Sequence, residues 1–138
     1  MSDFKRPLPN PNEHDTREFW QATKDGELKY QRCDDCGTIV FYPRHHCTGC
    51  LGDNLTWHTA SGRGTVYSFS IVRKAEHPFF RTKVPYAVAW IDLDEGPRLL
   101  SNVVGAAPGE VRQGLPVEVE FAPTRGGKAV PVFRPRKR

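Results

Sequence analysis

The chain has 138 residues of which only 38% are hydrophobic, so it encloses one modest core or two very small ones and needs a staple beyond packing. Its formal charge of +4 suggests nucleic acid until the charge is located: Arg134, Arg136, Lys137 and Arg138 carry four of the twenty basic charges, and without them sixteen basic residues face sixteen acidic ones. That balance excludes a strongly basic folded body, and the lack of a membrane-length apolar run, signal peptide or lipidation box sets the expectation of a cytoplasmic protein without a membrane anchor.

Residues 1–12 hold Pro7, Pro9 and Pro11, which preclude a stable helix and favour an extended arm, either disordered or laid across a partner. Asp15 followed three residues later by Glu18 makes a capping pattern that predicts a short helix over 16–24, stopped by Gly26. The helix presents Phe19 and Trp20 side by side, to pack on the chain's own ribbon or to meet another subunit.

Over 28–60 the only four cysteines fall in two matched pairs, Cys33 with Cys36 and Cys47 with Cys50, separated by ten residues. Two cysteines three apart at a hairpin tip turn both sulfurs toward one tetrahedral ion about 2.3 Å away, and two such tips complete its shell. Gly37 and Gly52 suit the knuckles, which commonly need a residue at positive φ, and 39–42 reads as the strand between them. Two disulfides or a redox-active pair are the alternatives, but neither explains why both pairs repeat one spacing. A closed four-thiolate Zn²⁺ site is structural, because it has no position for substrate or water and cannot act as a Lewis acid. It also adds a net charge of about −2 to the balanced body.

Beyond Ser61-Gly62 the pattern changes to short β-runs at 64–72, 86–93, 98–104, 116–121 and 130–133. Five short strands without a second helix of any length predict a small closed or nearly closed barrel. Asp94-Glu95-Gly96-Pro97 and Gly126-Gly127 are the expected hairpin turns. The longer loop over 74–84 contains His77-Pro78-Phe79-Phe80, and its consecutive phenylalanines either cover the barrel or meet a ligand. Tyr67 and Phe69 share one face of their strand, as do Tyr86 and Trp90, and in so small a barrel this row reads as core. The expected division is arm and helix over 1–27, zinc ribbon over 28–60, barrel over 61–135 and a basic tail over 136–138.

In this order and spacing the chain resembles the DUF35 family, a rubredoxin-like zinc ribbon joined to an OB-fold. The resemblance rests on Phe41-Tyr42-Pro43-Arg44 within the ribbon, Gly62-Arg63-Gly64-Thr65-Val66-Tyr67, Pro85-Tyr86-Ala87-Val88-Ala89, Glu95-Gly96-Pro97-Arg98-Leu99-Leu100, Gly114-Leu115-Pro116-Val117 and Phe133-Arg134-Pro135. It implies a mainly β protein, with a short N-terminal helix and ribbon ahead of a five-stranded OB barrel. It implies, too, an acyl-CoA-associated, non-catalytic accessory subunit in a hetero-oligomer with a thiolase-superfamily enzyme. The partners implied are thiolases, hydroxymethylglutaryl-CoA-type condensing systems and the retro-aldolases of sterol side-chain breakdown, with acyl-CoA at or near the shared interface.

The residue chemistry agrees with a chain that is not itself an enzyme. Thiolase chemistry needs a free nucleophilic cysteine beside a base, and here every thiol is assigned to metal. His14 lies in the arm, His58 leads into the barrel, and His45 and His46 crowd the second knuckle, where a ligand role requires a spare cysteine. With Arg32 and Arg44 these two instead offset the negative metal site. His77 has no identifiable acid or serine partner, and Asp92, Asp94 and Glu95 read as turn residues, so a small hydrolase is disfavoured. Ligand or partner contacts fall to Phe19, Trp20, Phe79, Phe80, Arg81 and Lys83, since rings beside cations suit an acyl chain with a phosphorylated head. The alternative reading is a single-stranded nucleic-acid binder, which needs stacking aromatics in a positive groove that the charge balance does not supply.

Overall fold

The computed structural model describes residues 6, 8–10, 12–124 and 129–136. Most of the proline arm, the Gly126-Gly127 turn, Lys137 and Arg138 lie outside the described residues. Helix α1 (Arg17–Lys24) starts one residue later than predicted and without the capping pair. Thr16 is its N-cap but makes no side-chain cap bond, and the Glu13 carbonyl accepts the Thr16 and Arg17 N–H groups. Glu18 reaches Lys29 at 3.9 Å instead of turning back to the helix start. The far end closes at Gly26, whose φ of +73° lets Glu27 N–H donate to the Ala22 carbonyl.

The ribbon is a three-stranded antiparallel sheet, with β1 (Lys29–Cys33) between β2 (Ile39–Val40) and β3 (Leu55–Thr59). β2 ends two residues short of the predicted strand, and the next two rings, 4.9 Å apart, serve the contacts between ribbon, helix and barrel. Phe41 packs 5.8 Å from Phe19, while the Tyr42 hydroxyl accepts the Leu100 N–H at 3.0 Å. The chain is then pinned by buried Gln31, whose side chain both accepts from Arg44 N–H at 2.7 Å and donates to its carbonyl at 2.8 Å.

The second sheet closes on itself. Strands β4 (Arg63–Val72), β5 (Tyr86–Leu93), β6 (Arg98–Val103), β7 (Pro116–Pro123) and β8 (Ala129–Pro135) run β4-β5-β6-β8-β7 and back to β4. Every pairing is antiparallel except β6 with β8, joined at Val103 and Phe133, which gives the OB arrangement expected. The 74–84 loop holds a one-turn helix, α2 (Pro78–Arg81). Among the described residues, no helix is long and apolar enough to cross a membrane.

One core serves both sheets. Phe19 from α1 and Leu28 ahead of β1 are buried in the same cluster as Val66, Ile91, Val117 and Phe133 of the barrel, with Trp20, Tyr30, Phe41 and Trp57 packed around it. α1 is tied to β8 through buried Thr23, whose hydroxyl donates to the Trp20 carbonyl at 2.6 Å and accepts from Ala129 N–H at 2.9 Å. Burial of that many apolar groups from two sheets makes the ribbon and barrel mutually dependent.

The aromatic row is not core. Ala87, Ala89, Ile91 and Leu93 fill the inner face of β5, so Trp90, out of phase with them, stays 39% exposed. A bulge between Val66 and Ser68 turns Tyr67 outward, where the Arg98 guanidinium lies 3.5 Å from its ring centroid. Phe69 stands opposite Ala89 yet remains 40% exposed, since β7 pairs with β4 only as far as Thr65. Alanines at two inner positions of β5 leave room in the narrow barrel for the buried ring of Phe133, while Tyr67, Phe69 and Trp90 stay exposed.

Gly64 marks the tightest strand approach. A Cβ added there stands 2.5 Å from the Asp92 carbonyl oxygen and 3.1 Å from Ile91 Cγ2. Because the first obstacle is backbone, Gly64→Ala is expected to cost about 1–3 kcal/mol of stability in chemical denaturation. An unchanged denaturation midpoint contradicts this packing of β4 on β5.

Candidate functional site

Two local structures gather the sequence candidates: the knuckles of the ribbon and the mouth of the barrel. At the knuckles the Sγ atoms of Cys33, Cys36, Cys47 and Cys50 all lie within 4.8 Å of one another, Cys33 and Cys47 buried and Cys36 and Cys50 exposed. Cys33 meets Cys50 at 3.6 Å and Cys36 meets Cys47 at 3.6 Å, so each close pair takes one sulfur from each knuckle. A disulfide spans about 2.05 Å, whereas sulfurs about 2.3 Å from a central ion stand about 3.8 Å apart at the edges of a tetrahedron. The spacing and the donor type therefore fit a tetrahedral thiophilic metal.

Local backbone prepares the site. Gly49 and Cys50 N–H groups donate to Cys47 Sγ at 3.2 and 3.5 Å, and a Cβ on Gly49 stands only 2.5 Å from Thr38 Oγ1. Gly37 adopts the positive φ expected of it at +78°, but in the second knuckle that conformation falls to Leu51, at φ 65°, rather than to Gly52. Gly52 instead supplies the carbonyl that accepts Cys47 N–H at 2.7 Å. The thiols do not ionise independently. Hydrogen bonds from the Thr38 side chain and backbone lower Cys36 to about 6. Cys50 is pulled down by the Gly52 backbone, yet the neighbouring Cys33 and Cys36 sulfurs push it up to about 12. A divalent cation, which favours the thiolate at all four positions, removes that competition.

At the barrel mouth a cavity of about 640 Å³ opens beneath α2, within the range of small-molecule sites. Phe79, Phe80 and Lys83 of the loop line it together with Tyr86, Val103 and Val132 of the barrel. The N-terminal arm adds Leu8 and Arg6, whose guanidinium carbon lies 5.4 Å from the Phe79 ring and 5.5 Å from Phe80, while Lys83 Nζ lies 5.4 Å from Phe79. Two cations thus rest on aromatic faces at the rim of an apolar hollow.

The other candidates are used elsewhere. Arg81 does not line the cavity: its guanidinium turns back on the loop and donates to the Glu76 carbonyl at 2.8 Å and to that of Ala75 at 3.4 Å. His77 caps α2, its Nδ1 accepting the Phe79 N–H at 3.1 Å. Phe19, a proposed partner contact, is only 7% exposed, because the Phe41 and Trp20 rings close over it; Trp20 is half-buried. Asp92 receives a two-pronged contact from Arg98 at 2.6 and 3.2 Å, and Glu95 accepts the Ser61 N–H at 2.9 Å. Sequence reasoning missed Arg6 and the strand-end residues Asn102, Glu120 and Ala122 of the cavity wall, which share no motif and meet only when the barrel closes.

Comparison with known proteins follows the same division. A family model described as the ChsH2 rubredoxin-like zinc ribbon domain matches residues 20–56, and one described as the ChsH2 C-terminal OB-fold domain matches residues 57–122. The chain is 38% identical over 133 residues to a probable enoyl-CoA hydratase alpha subunit of Thermomonospora curvata, covering 94% of this chain but only 40% of that one. It is 33% identical over 113 residues to the benzoylsuccinyl-CoA thiolase subunit BbsA of Thauera aromatica, covering 78% of this chain and 74% of the relative. Among solved structures, one titled Ltp2-ChsH2(DUF35) aldolase matches with a TM-score of 0.80 and 35% identity, over 94% of this chain and 98% of that chain.

Proposed function

The chain belongs to the DUF35 family, a rubredoxin-like zinc ribbon followed by an OB-fold, and from that membership we propose that it is a non-catalytic accessory subunit of a thiolase-superfamily enzyme acting on acyl-CoA. The observation that carries this reading is the fate of the thiols. All four gather within 4.8 Å of one another, so among the described residues none stands apart as the nucleophile that thiolase chemistry requires. Support for the partner comes from relatives named as a thiolase subunit and as part of an aldolase.

In this reading Cys33, Cys36, Cys47 and Cys50 hold a structural Zn²⁺, which fixes the knuckles and supplies no reaction step. The barrel-mouth cavity receives part of the acyl-CoA, with Phe79 and Phe80 against its apolar portion and Lys83 at its rim facing the phosphates. The chain then shapes and shields the acyl-CoA path, and the partner's own residues decide between thiolysis and retro-aldol cleavage, including that of a sterol side chain. The exposed rings Tyr67 and Trp90 favour the alternative of single-stranded nucleic acid, but the cation on the Tyr67 ring, Arg98, is already paired with Asp92.

The test is gentle isolation of the full chain at moderate salt with identification of its companions by mass spectrometry. A stoichiometric thiolase-fold protein is expected, and recovery alone or with nucleic acid refutes the assignment. In the recovered complex, Phe79→Ala with Phe80→Ala should lower acyl-CoA turnover at least about tenfold while the isolated chain keeps its fold. Full turnover in that variant removes the cavity from the reading.

A further inference from the structure

We infer that His14, Asp15 and His45 form a second metal site, on the surface and separate from the cysteine cluster, for a borderline divalent transition-metal ion of the Zn²⁺, Co²⁺ and Ni²⁺ class. One ligand atom from each residue lies within 4.8 Å of the other two. His14 Nε2 and His45 Nδ1 are 3.3 Å apart, with ring centroids at 4.9 Å and planes inclined by 50°. Nitrogens bound tetrahedrally at about 2.05 Å stand about 3.3 Å from each other, so the two imidazoles already occupy one edge of a coordination shell. Asp15 supplies an anionic third ligand, and the exposure of all three residues leaves the remaining positions to water.

Both halves of the site are held by backbone. His45 follows Arg44, whose N–H and carbonyl are both bound by buried Gln31, and it stands two residues before Cys47 in the second knuckle. His14 and Asp15 sit in the turn ahead of α1, which the Glu13 carbonyl closes by accepting Thr16 N–H at 3.3 Å and Arg17 N–H at 2.9 Å. A hydrogen bond between two exposed imidazoles gains little over their bonds to water. One cation instead satisfies both lone pairs and the carboxylate together, and imidazole with carboxylate selects this borderline class over Ca²⁺ or Mg²⁺. Bound there, the ion fastens the segment that enters α1 to the knuckle 31 positions further along the chain.

Reconstituting the full chain with a first equivalent of Co²⁺, which refolds the ribbon, and then titrating further Co²⁺ separates the two sites, because only thiolate coordination brings an intense sulfur-to-metal charge-transfer band. Two equivalents are expected to bind, the tighter with the band and the other without it. His14→Ala and His45→Ala should each keep the band and weaken the second equivalent by about 100-fold, and Asp15→Asn should weaken it by about tenfold. The retained band reports that the knuckles are intact, and His14→Ala, in the turn before α1, tests the site without touching the ribbon. A single equivalent in the parent chain, or a second equivalent of unchanged affinity in the His14→Ala/His45→Ala double variant, overturns the assignment.

Discussion

Cys33→Ser is expected to abolish tight metal binding and unfold the ribbon sheet, with the largest loss of stability of any single substitution in the chain. At the knuckles themselves little else holds the chain. Its private core consists of Cys33, Val40 and Cys47 with Leu55 packed alongside, and β2 is only two residues long. A structural zinc contributes an apparent ~10–16 kcal/mol at neutral pH, comparable to the ~5–15 kcal/mol total stability of ordinary domains. The damage should also spread, because Phe19, Leu28, Tyr30 and Trp57 belong to or pack on the core of the barrel. Loss of far-UV signal, a shift in Trp20 and Trp57 fluorescence, and a matching effect of a strong chelator on the parent chain are the readouts. A Cys33→Ser chain that melts at the parent temperature would sink the metal assignment.

The second large effect is expected inside the barrel. Phe133 is fully buried at the one parallel junction, opposite Val103, and its carbonyl accepts Val104 N–H at 2.7 Å. Truncation to Ala removes a ring from a site that β6, β7 and β8 all enclose, so the cavity cannot collapse without moving a strand pairing. The expected cost is about 3–5 kcal/mol, or roughly 10–17 °C in melting temperature for a chain of this size. Phe69→Ala, at a ring 40% exposed, should cost less than about 1 kcal/mol and serves as the internal comparison. If the two variants melt together, the placing of Phe133 in the closed core and of Phe69 beyond the reach of the β4–β7 pairing is wrong.

The contrast between those phenylalanines shows where local pattern ceases to decide. Both lie in strands with alternating side chains, and period-two spacing correctly puts neighbours on opposite faces. It does not say which face is the inside. In β5 the inner positions went to Ala87 and Ala89, because the barrel is narrow, and in β4 a bulge changed the phase between Val66 and Ser68. The binding candidates divided for a similar reason. Phe79, Phe80 and Lys83 reach the cavity, while Arg81, on the same turn, finds the carbonyls of Ala75 and Glu76 closer.

What the sequence by itself determined is whatever is set by short-range chemistry. The paired cysteines, the left-handed Gly26 and Gly37, the β-runs and the Asp94-to-Pro97 turn each follow from residue type and spacing within a few positions, and each appears where expected. The tertiary structure alone decided the features that join distant segments: the shared core that buries Phe19, the outward aromatic face, the cavity closed by Arg6 and Leu8 over the loop, and the meeting of His14 with His45. The physical reason is that burial and site geometry depend on what the closed barrel and the docked helix bring from elsewhere, which residue spacing along one strand does not encode.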